Sequence, residues 1–254
     1  MVNTLDTVMQ WNGRALVAAA EGRASGLLVA DSWLVDEGYE RAAAWHWARF
    51  GASCLEEGVE RDELRRFQAA ASAALPLDGR WFPRVELTAA GLALRLRRAP
   101  GAVGSGSARV LAGPCGDPRS HPRRKGPDLA LLARLRAQAR ERGADELLLR
   151  DDAGALLEGA LSSLLWWEGD ALCTTPDAHA LPGVTRGLLL ARAQALGIEV
   201  RHRAPLAEEL EGRETWLTSA LHGIRVVARW VSPAIEAGDG VRAPRWREEL
   251  DRDG

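Results

Sequence analysis

Lysine is all but missing from this sequence: of its 33 basic residues, Lys125 alone is lysine and the rest are arginine. Alanine, arginine, glycine and leucine crowd the chain, a sign of coding bias that replaces lysine wherever charge alone matters. A lysine that survives is either a chance survivor on the surface or a position where arginine does not serve. The chemical difference is deprotonation: a guanidinium keeps its proton, whereas an amine in a suitable site loses it and attacks a carbonyl. Cysteine is scarce too. Cys54, Cys115 and Cys173 are far apart with no CxxC pair, which argues against a disulfide framework or a zinc site and for a reducing compartment. No metal is expected. No apolar run approaches ~18 residues, so no helix is expected to span a membrane. The first residues lack a basic segment followed by an apolar one, so no signal peptide is expected and the expected location is the cytoplasm. A net charge of −2 gives no electrostatic reason to expect nucleic acid or an anionic membrane as partner. Internal repeats and low-complexity tails are absent as well.

What is present suits one large domain or two modest ones: 254 residues, 46% apolar and 27% charged, enough to bury a sizeable core. SGLLVADSWLV has strand character. ERAAAWHWARFGASCLEEG and ERDELRRFQAAASAAL carry helical spacing, and RVELTAAGLALRLRR reads as a hairpin turning at Ala89 to Gly91. After APGAVGSGSA comes a short strand, VLAGP. GPCGDPRSHP, dense in proline, glycine and aspartate, is the more convincing domain boundary and ends just before Lys125. PDLALLARLRAQARERG follows as a helix, with Pro127 in its first turn, Arg140 and Arg142 in its last and Gly143 closing it. ADELLLRD, ALLEGALSSLLWWEG and DALCTTP read as strands, GVTRGLLLARAQALG as a helix, IEVRHRA as a strand and LAEELEG as a short helix. ETWLTSALHGIRVVARW returns to strand character.

Four places carry candidate chemistry. Glu158 lies in the apolar run ALLEGALSSLLWW, where a carboxylate is either at a strand edge facing water or paired with a cationic group, since burying it alone is costly. In LPGVTRGLLL, Gly183, Val184 and Thr185 open a helix, where free N–H groups and the dipole suit a phosphate; ordinary capping is the alternative. Thr218 and Ser219 in WLTSALHGIRVV either donate to an anion or make a turn. HWARF ends a helix with His46 and Arg49, and Arg49 either reaches a phosphate or lies on a solvated face.

In chain order, a lysine, a glutamate, a GVT helix start and a TS turn, with an arginine far upstream, resemble the class-IV aminotransferase family. These are the fold-type-IV pyridoxal phosphate enzymes: branched-chain and D-amino acid aminotransferases and aminodeoxychorismate lyases. ELLLRDDAGALLEGALSSLLWWEGDALCTTPD followed by LPGVTR is similar to that family's strand–EG–strand–TP–GxTR run, and the resemblance is specific across roughly residues 121–231. It implies an α+β fold of two domains: a smaller N-terminal one (1–113), a linker (114–122) and a larger cofactor-binding one (123–254), with pyridoxal 5'-phosphate between them. It implies Lys125 as the Schiff-base lysine and Glu158 as partner of the pyridine nitrogen, keeping the ring an electron sink. Val184, Thr185 and Arg49 would bind the phosphate. Ser219, Ala220 and Leu221 would lie on the turn lining phosphate and substrate carboxylate, Ser219 and Ala220 binding the cofactor and Leu221 and His222 the substrate.

The sequence departs from the family pattern in three places. DSWLVDEGYERAA replaces the usual aromatic-YGDG-FE stretch, which supplies substrate-pocket residues. Asp128 stands where asparagine is frequent, and Ser163 replaces the asparagine of EG-x-x-SN. The SALHGIRVV turn is more similar to the lyase turn than to the TAAEI-type turn of transaminases, so pyruvate elimination giving p-aminobenzoate leads and amino acid transamination follows. A non-catalytic binding module on the same fold is the third reading, which the lone lysine opposes. The resemblance also implies a homodimer acting on a small amino-bearing carboxylic acid. Of the clustered Trp33, Trp45 and Trp47, the last two point different ways on one helix. One is expected at a partner surface, with Trp47 packed inside its own subunit as the alternative.

Overall fold

The computed structural model describes residues 7–19, 26–101 and 106–252. Residues 102–105, within the glycine- and serine-rich stretch, lie outside the described residues, as do 1–6. The chain divides into two compact units: Met1–Ala102 with Arg124–Pro127, and Val103–Arg123 with Asp128–Gly254.

The first unit contains β1 (Thr7–Trp11), β2 (Leu16–Ala18), β3 (Leu27–Ser32), β4 (Val35–Asp36), β5 (Tyr39–Glu40), α1 (Ala43–Glu56), α2 (Arg61–Ala73), β6 (Arg80–Trp81), β7 (Arg84–Thr88) and β8 (Gly91–Leu96). Its main sheet runs in the order β2-β1-β8-β7-β3, and β4 sits between β5 and β6 in a small separate sheet. The β7–β8 hairpin closes at the Thr88–Gly91 pair, as the turn residues suggest. Its alternation sends Val85, Leu87, Leu92 and Leu94 into the core. On the opposite face Glu86 receives Arg84 Nε at 2.6 Å and Arg95 Nε at 2.9 Å, as a period of two requires. α1 buries Trp47, Phe50 and Cys54, one face of a helix, against Phe67 and Ala71 of α2.

Trp47 lies 5.3 Å from Trp33 and 5.9 Å from Phe50, ring centre to ring centre. It belongs to the core of its own chain, and Trp45 is the exposed member, at 48%. The difference follows from helical spacing: Trp47 falls in register with Phe50 and Cys54, Trp45 does not.

The second unit contains β9 (Ser107–Ala112), α3 (Leu129–Glu141), β10 (Glu146–Arg150), β11 (Leu156–Gly159), β12 (Ser163–Glu168), β13 (Ala171–Thr174), α4 (Val184–Ala195), β14 (Val200–His202), β15 (Thr215–Ser219), β16 (Gly223–Ser232) and α5 (Ala243–Arg252). One eight-stranded sheet holds the order β11-β10-β9-β16-β15-β12-β13-β14. β11 and β12 meet again at a Gly159–Ser162 bridge, so the sheet curls round its core of Leu148, Leu164, Trp166, Leu217 and Val227. That bridge also divides ALLEGALSSLLWWEG, read as one strand, into two. β12 is buried on both faces, which explains its unbroken apolar reading.

Two expectations are corrected. The boundary expected at 114–122 lies elsewhere: β9 pairs in parallel with β10 and β16, so it belongs to the second sheet. Residues 124–127 return to the first unit instead of opening the second. There Ala30 N donates to Lys125 O at 2.7 Å. Pro127 lies outside α3, whose N-cap is Asp128. The Asp128 carboxylate accepts Ser120 N at 3.1 Å and His121 N at 2.8 Å, so this departure from the family asparagine still ties its loop.

Candidate active site

In the first unit, Lys125 is seated on β3 by the main-chain bond to Ala30 and by its neighbour Gly126. The latter has φ +146°, and a Cβ there would come within 2.8 Å of Val29 Cα and 2.9 Å of Leu28 O. Only glycine permits so close an approach of two backbones. The Lys125 Nζ lies 3.6 Å from Oδ1 of Asp31, and 19% of its side chain is exposed. Asp31, on β3, is fully buried. Its Oδ1 accepts Ser32 N at 2.7 Å, His46 Nδ1 at 2.8 Å and Arg49 Nη2 at 2.8 Å, and its Oδ2 accepts Arg49 Nε at 2.8 Å.

Burial works to raise the Asp31 pKa, but Arg49, Lys125 and His46 together hold the carboxyl well below the usual range. An ionised Asp31 can only accept, so His46 carries its proton on Nδ1. Burial lowers the Lys125 ammonium to about 8, with Asp31 opposing and Arg49 and Arg97 assisting. The lone lysine is therefore an amine whose proton is loosely held.

In the second unit, Glu158 on β11 is buried. Its Oε1 accepts Leu181 N at 3.0 Å and pairs with Arg119 Nη1. Both bonds fall on one oxygen. Burial pushes the carboxyl up to about 7, opposed first by Arg119. Arg119 is held in turn by Asp117, through Nε at 2.8 Å, and by the His179 carbonyl at 2.8 Å. The Leu181 contact fixes the loop that leads into α4. At that helix start Gly183 is the N-cap, without a side-chain cap, and Val184 and Thr185 are buried. A Cβ on Gly183 would collide with Ser163 Oγ.

Ser163 pairs across the sheet with Thr218, whose Oγ1 is buried with no hydrogen-bond partner. Ser219 Oγ accepts His222 N at 3.3 Å, closing the turn through Ala220 and Leu221. Burial, then Arg225 and Arg136, push His222 down to about 4, so it is neutral near pH 7. The structure thus links Glu158, the Val184–Thr185 helix start and the Ser219–His222 turn within one unit, and Lys125 with Arg49 in the other.

Three residues of these sets escaped the sequence reading. Asp31 offered the same signal as Glu158, a charge inside an apolar strand. Arg119 lay in a stretch read as linker. Arg186, the R of GVTR, is buried and donates to Thr174 Oγ1 at 2.7 Å, Thr175 O at 2.8 Å and Asp177 Oδ1 at 2.7 Å, which pins the segment after β13 to α4. Among the described residues no group of three His, Cys, Asp or Glu side chains is placed to hold a metal, and no helix is long and apolar enough to cross a membrane.

Buried ionisable groups with shifted pKa values make candidate functional sites, here on a mixed α/β scaffold. The chain belongs to the amino-transferase class IV family, whose model matches residues 28–230. No curated protein matches it significantly in sequence. Its fold is similar to a hypothetical aminotransferase from Mycobacterium tuberculosis (TM-score 0.80, 18% identity, 98% of each chain covered). It is also similar to a Legionella pneumophila protein whose proposed activity is 4-amino-4-deoxychorismate lyase (0.76, 19%, 94% of this chain and 97% of that one). A third similar structure is the branched-chain amino acid aminotransferase from Escherichia coli (0.77, 18%, 97% and 92%).

Proposed function

We propose that the chain is a pyridoxal 5'-phosphate-dependent enzyme acting on an amino-bearing carboxylic acid, with Lys125 as the amine that carries the cofactor. The observation behind the reading is the lone lysine itself, seated against β3 with its proton loosened to about 8. The residues present fit the cofactor. Thr218 Oγ1 is a buried donor without a partner, beside a helix start that has no side-chain cap, and such a start suits a phosphate. Glu158 keeps Oε2 outside both of its hydrogen bonds, where it can meet a ring nitrogen. When bound, the cofactor supplies an electron sink for the carbon bearing the amino group.

The chain's own residues do the rest. Lys125 holds and returns a proton at Nζ, Glu158 holds a proton at the ring nitrogen, and Arg49, Val184, Thr185 and Ser219 bind phosphate. Ala220 belongs with the cofactor-binding residues, and Leu221 and His222 receive the substrate carboxylate, with His222 acting as a neutral hydrogen-bond partner.

Elimination of pyruvate from aminodeoxychorismate is the first reaction we assign, on the lyase-like turn Ser219 to Ile224. Transamination is the second, supported by the Mycobacterium tuberculosis protein's structure with alpha-ketoglutarate and PMP bound. Assaying the two half-reactions side by side on purified protein separates them, and a colourless protein inert in both would refute the reading. We also assign a homodimer, in which the half-exposed Trp45 lies against the partner. Sedimentation of an active monomer near 27.5 kDa would refute that assignment.

A further inference from the structure

We propose that Asp31 is a positioning residue that sets the spacing between the Lys125 amine and the Arg49 guanidinium, and with it the placement of the cofactor between its carbonyl and phosphate ends. The inference rests on Lys125 and Arg49 serving those two ends. One carboxylate touches both cations. Oδ1 and Oδ2 grip Arg49 through Nη2 and Nε, each at 2.8 Å, and Oδ1 lies 3.6 Å from Lys125 Nζ. Two hydrogen bonds to a planar fork fix direction as well as distance. His46 Nδ1 and Ser32 N, bonded to the same Oδ1, prevent the carboxylate from turning, and Asp31 itself is wholly buried. The Lys125 main chain is tied to the same strand one residue away, at Ala30, and Gly126 lets it lie flush there. Strand β3 is therefore the common frame for amine and guanidinium.

The charges point the same way. Arg49 and Arg97 face Lys125 and disfavour its ammonium, and Asp31 is the acid opposing them. His46, lowered by burial, adds no charge near pH 7. Without the carboxylate, the Lys125 ammonium and the Arg49 guanidinium would lose the anion between them.

The test uses the apo protein and the fact that it has one lysine. Reductive methylation with ¹³C-formaldehyde labels Lys125 and the α-amine, which give separate signals, so a pH titration by NMR follows Lys125 alone. In Asp31→Asn the Lys125 midpoint should fall by about one unit or more, the usual effect of losing an opposite charge at this range. Asp31→Glu, which keeps the charge on a longer arm that reaches toward Nζ, should move the midpoint up. A folded Asp31→Asn protein with the wild-type midpoint would overturn the proposal. Should the asparagine variant fail to fold, Asp31→Glu decides alone: a raised midpoint supports the proposal and an unchanged or lower one overturns it. No cofactor takes part in the titration, so failure of the cofactor reading would appear elsewhere, as absent trapping on Lys125 with the titration shift intact.

Discussion

The charge cluster of the first unit is finished by folding, whereas that of the second is not. Around Asp31 each carboxylate oxygen is engaged, and four donors from β3 and α1 converge on it. Around Glu158 both hydrogen bonds fall on Oε1, and Thr218 Oγ1 has no partner. An unsatisfied buried polar group costs about 1–3 kcal/mol, so the second cluster carries a cost that the first does not. The contrast separates two jobs. On the proposed reading, the first cluster holds an amine and a guanidinium in fixed relation, and the second keeps donors and an acceptor for a ligand.

Substitutions should therefore act differently in the two places, and Lys125→Arg should act most strongly. It preserves charge and the β3 seat while removing the only lysine amine, so turnover in either half-reaction should drop by roughly a thousandfold or more. Residual turnover within tenfold of wild type would erase the distinction drawn for the first cluster. Glu158→Gln should retain cofactor but lose turnover by about a hundredfold, since the neutral amide no longer holds the ring nitrogen protonated. Wild-type turnover would remove Glu158 from the site. Arg49→Ala should weaken cofactor binding about ten- to a hundredfold, measured by equilibrium dialysis, because charge-assisted bonds are worth about 1.5–3 kcal/mol. Unchanged affinity would confine Arg49 to its pairing with Asp31.

The smallest effect concerns pH. The folded Lys125 titrates near 8, below its ordinary 10.5, so between these values the unfolded chain binds more protons than the folded one. Stability of the apo protein should then rise with pH across that window, relative to Lys125→Met, by at most about 3 kcal/mol. Below pH 8 the difference should be constant. Urea denaturation at several pH values measures it, and parallel curves from 8 to 10.5 would contradict the loosened proton.

Much of the second unit was legible because its signals are local. A glutamate in an apolar strand, a glycine at a helix start and a turn before a strand each lie within a few residues, and the resemblance joins them in order. The Asp31 cluster is harder to read because its partners come from elsewhere in the chain, His46 15 residues away and Arg49 18. The same holds for Arg119, which meets Glu158 across 39 residues from a loop that composition marks only as proline- and glycine-rich. α5 escaped notice for another reason. It buries Trp246 and Leu250 alone of its large apolar residues, and Glu214, 29 residues upstream of Ala243, accepts N–H groups at its start. Distance along the chain, not weakness of the contacts, hid these features. The division at residue 103 was obscured by β9, whose sheet partners are known only once the fold is formed.

The most direct test of the central claim, that the lone lysine is the residue joined to the cofactor, is borohydride reduction of the yellow holoprotein followed by peptide mapping. The account predicts loss of the visible band and a pyridoxyl group on the peptide containing Lys125. An unmodified Lys125 in fully reduced protein would contradict it.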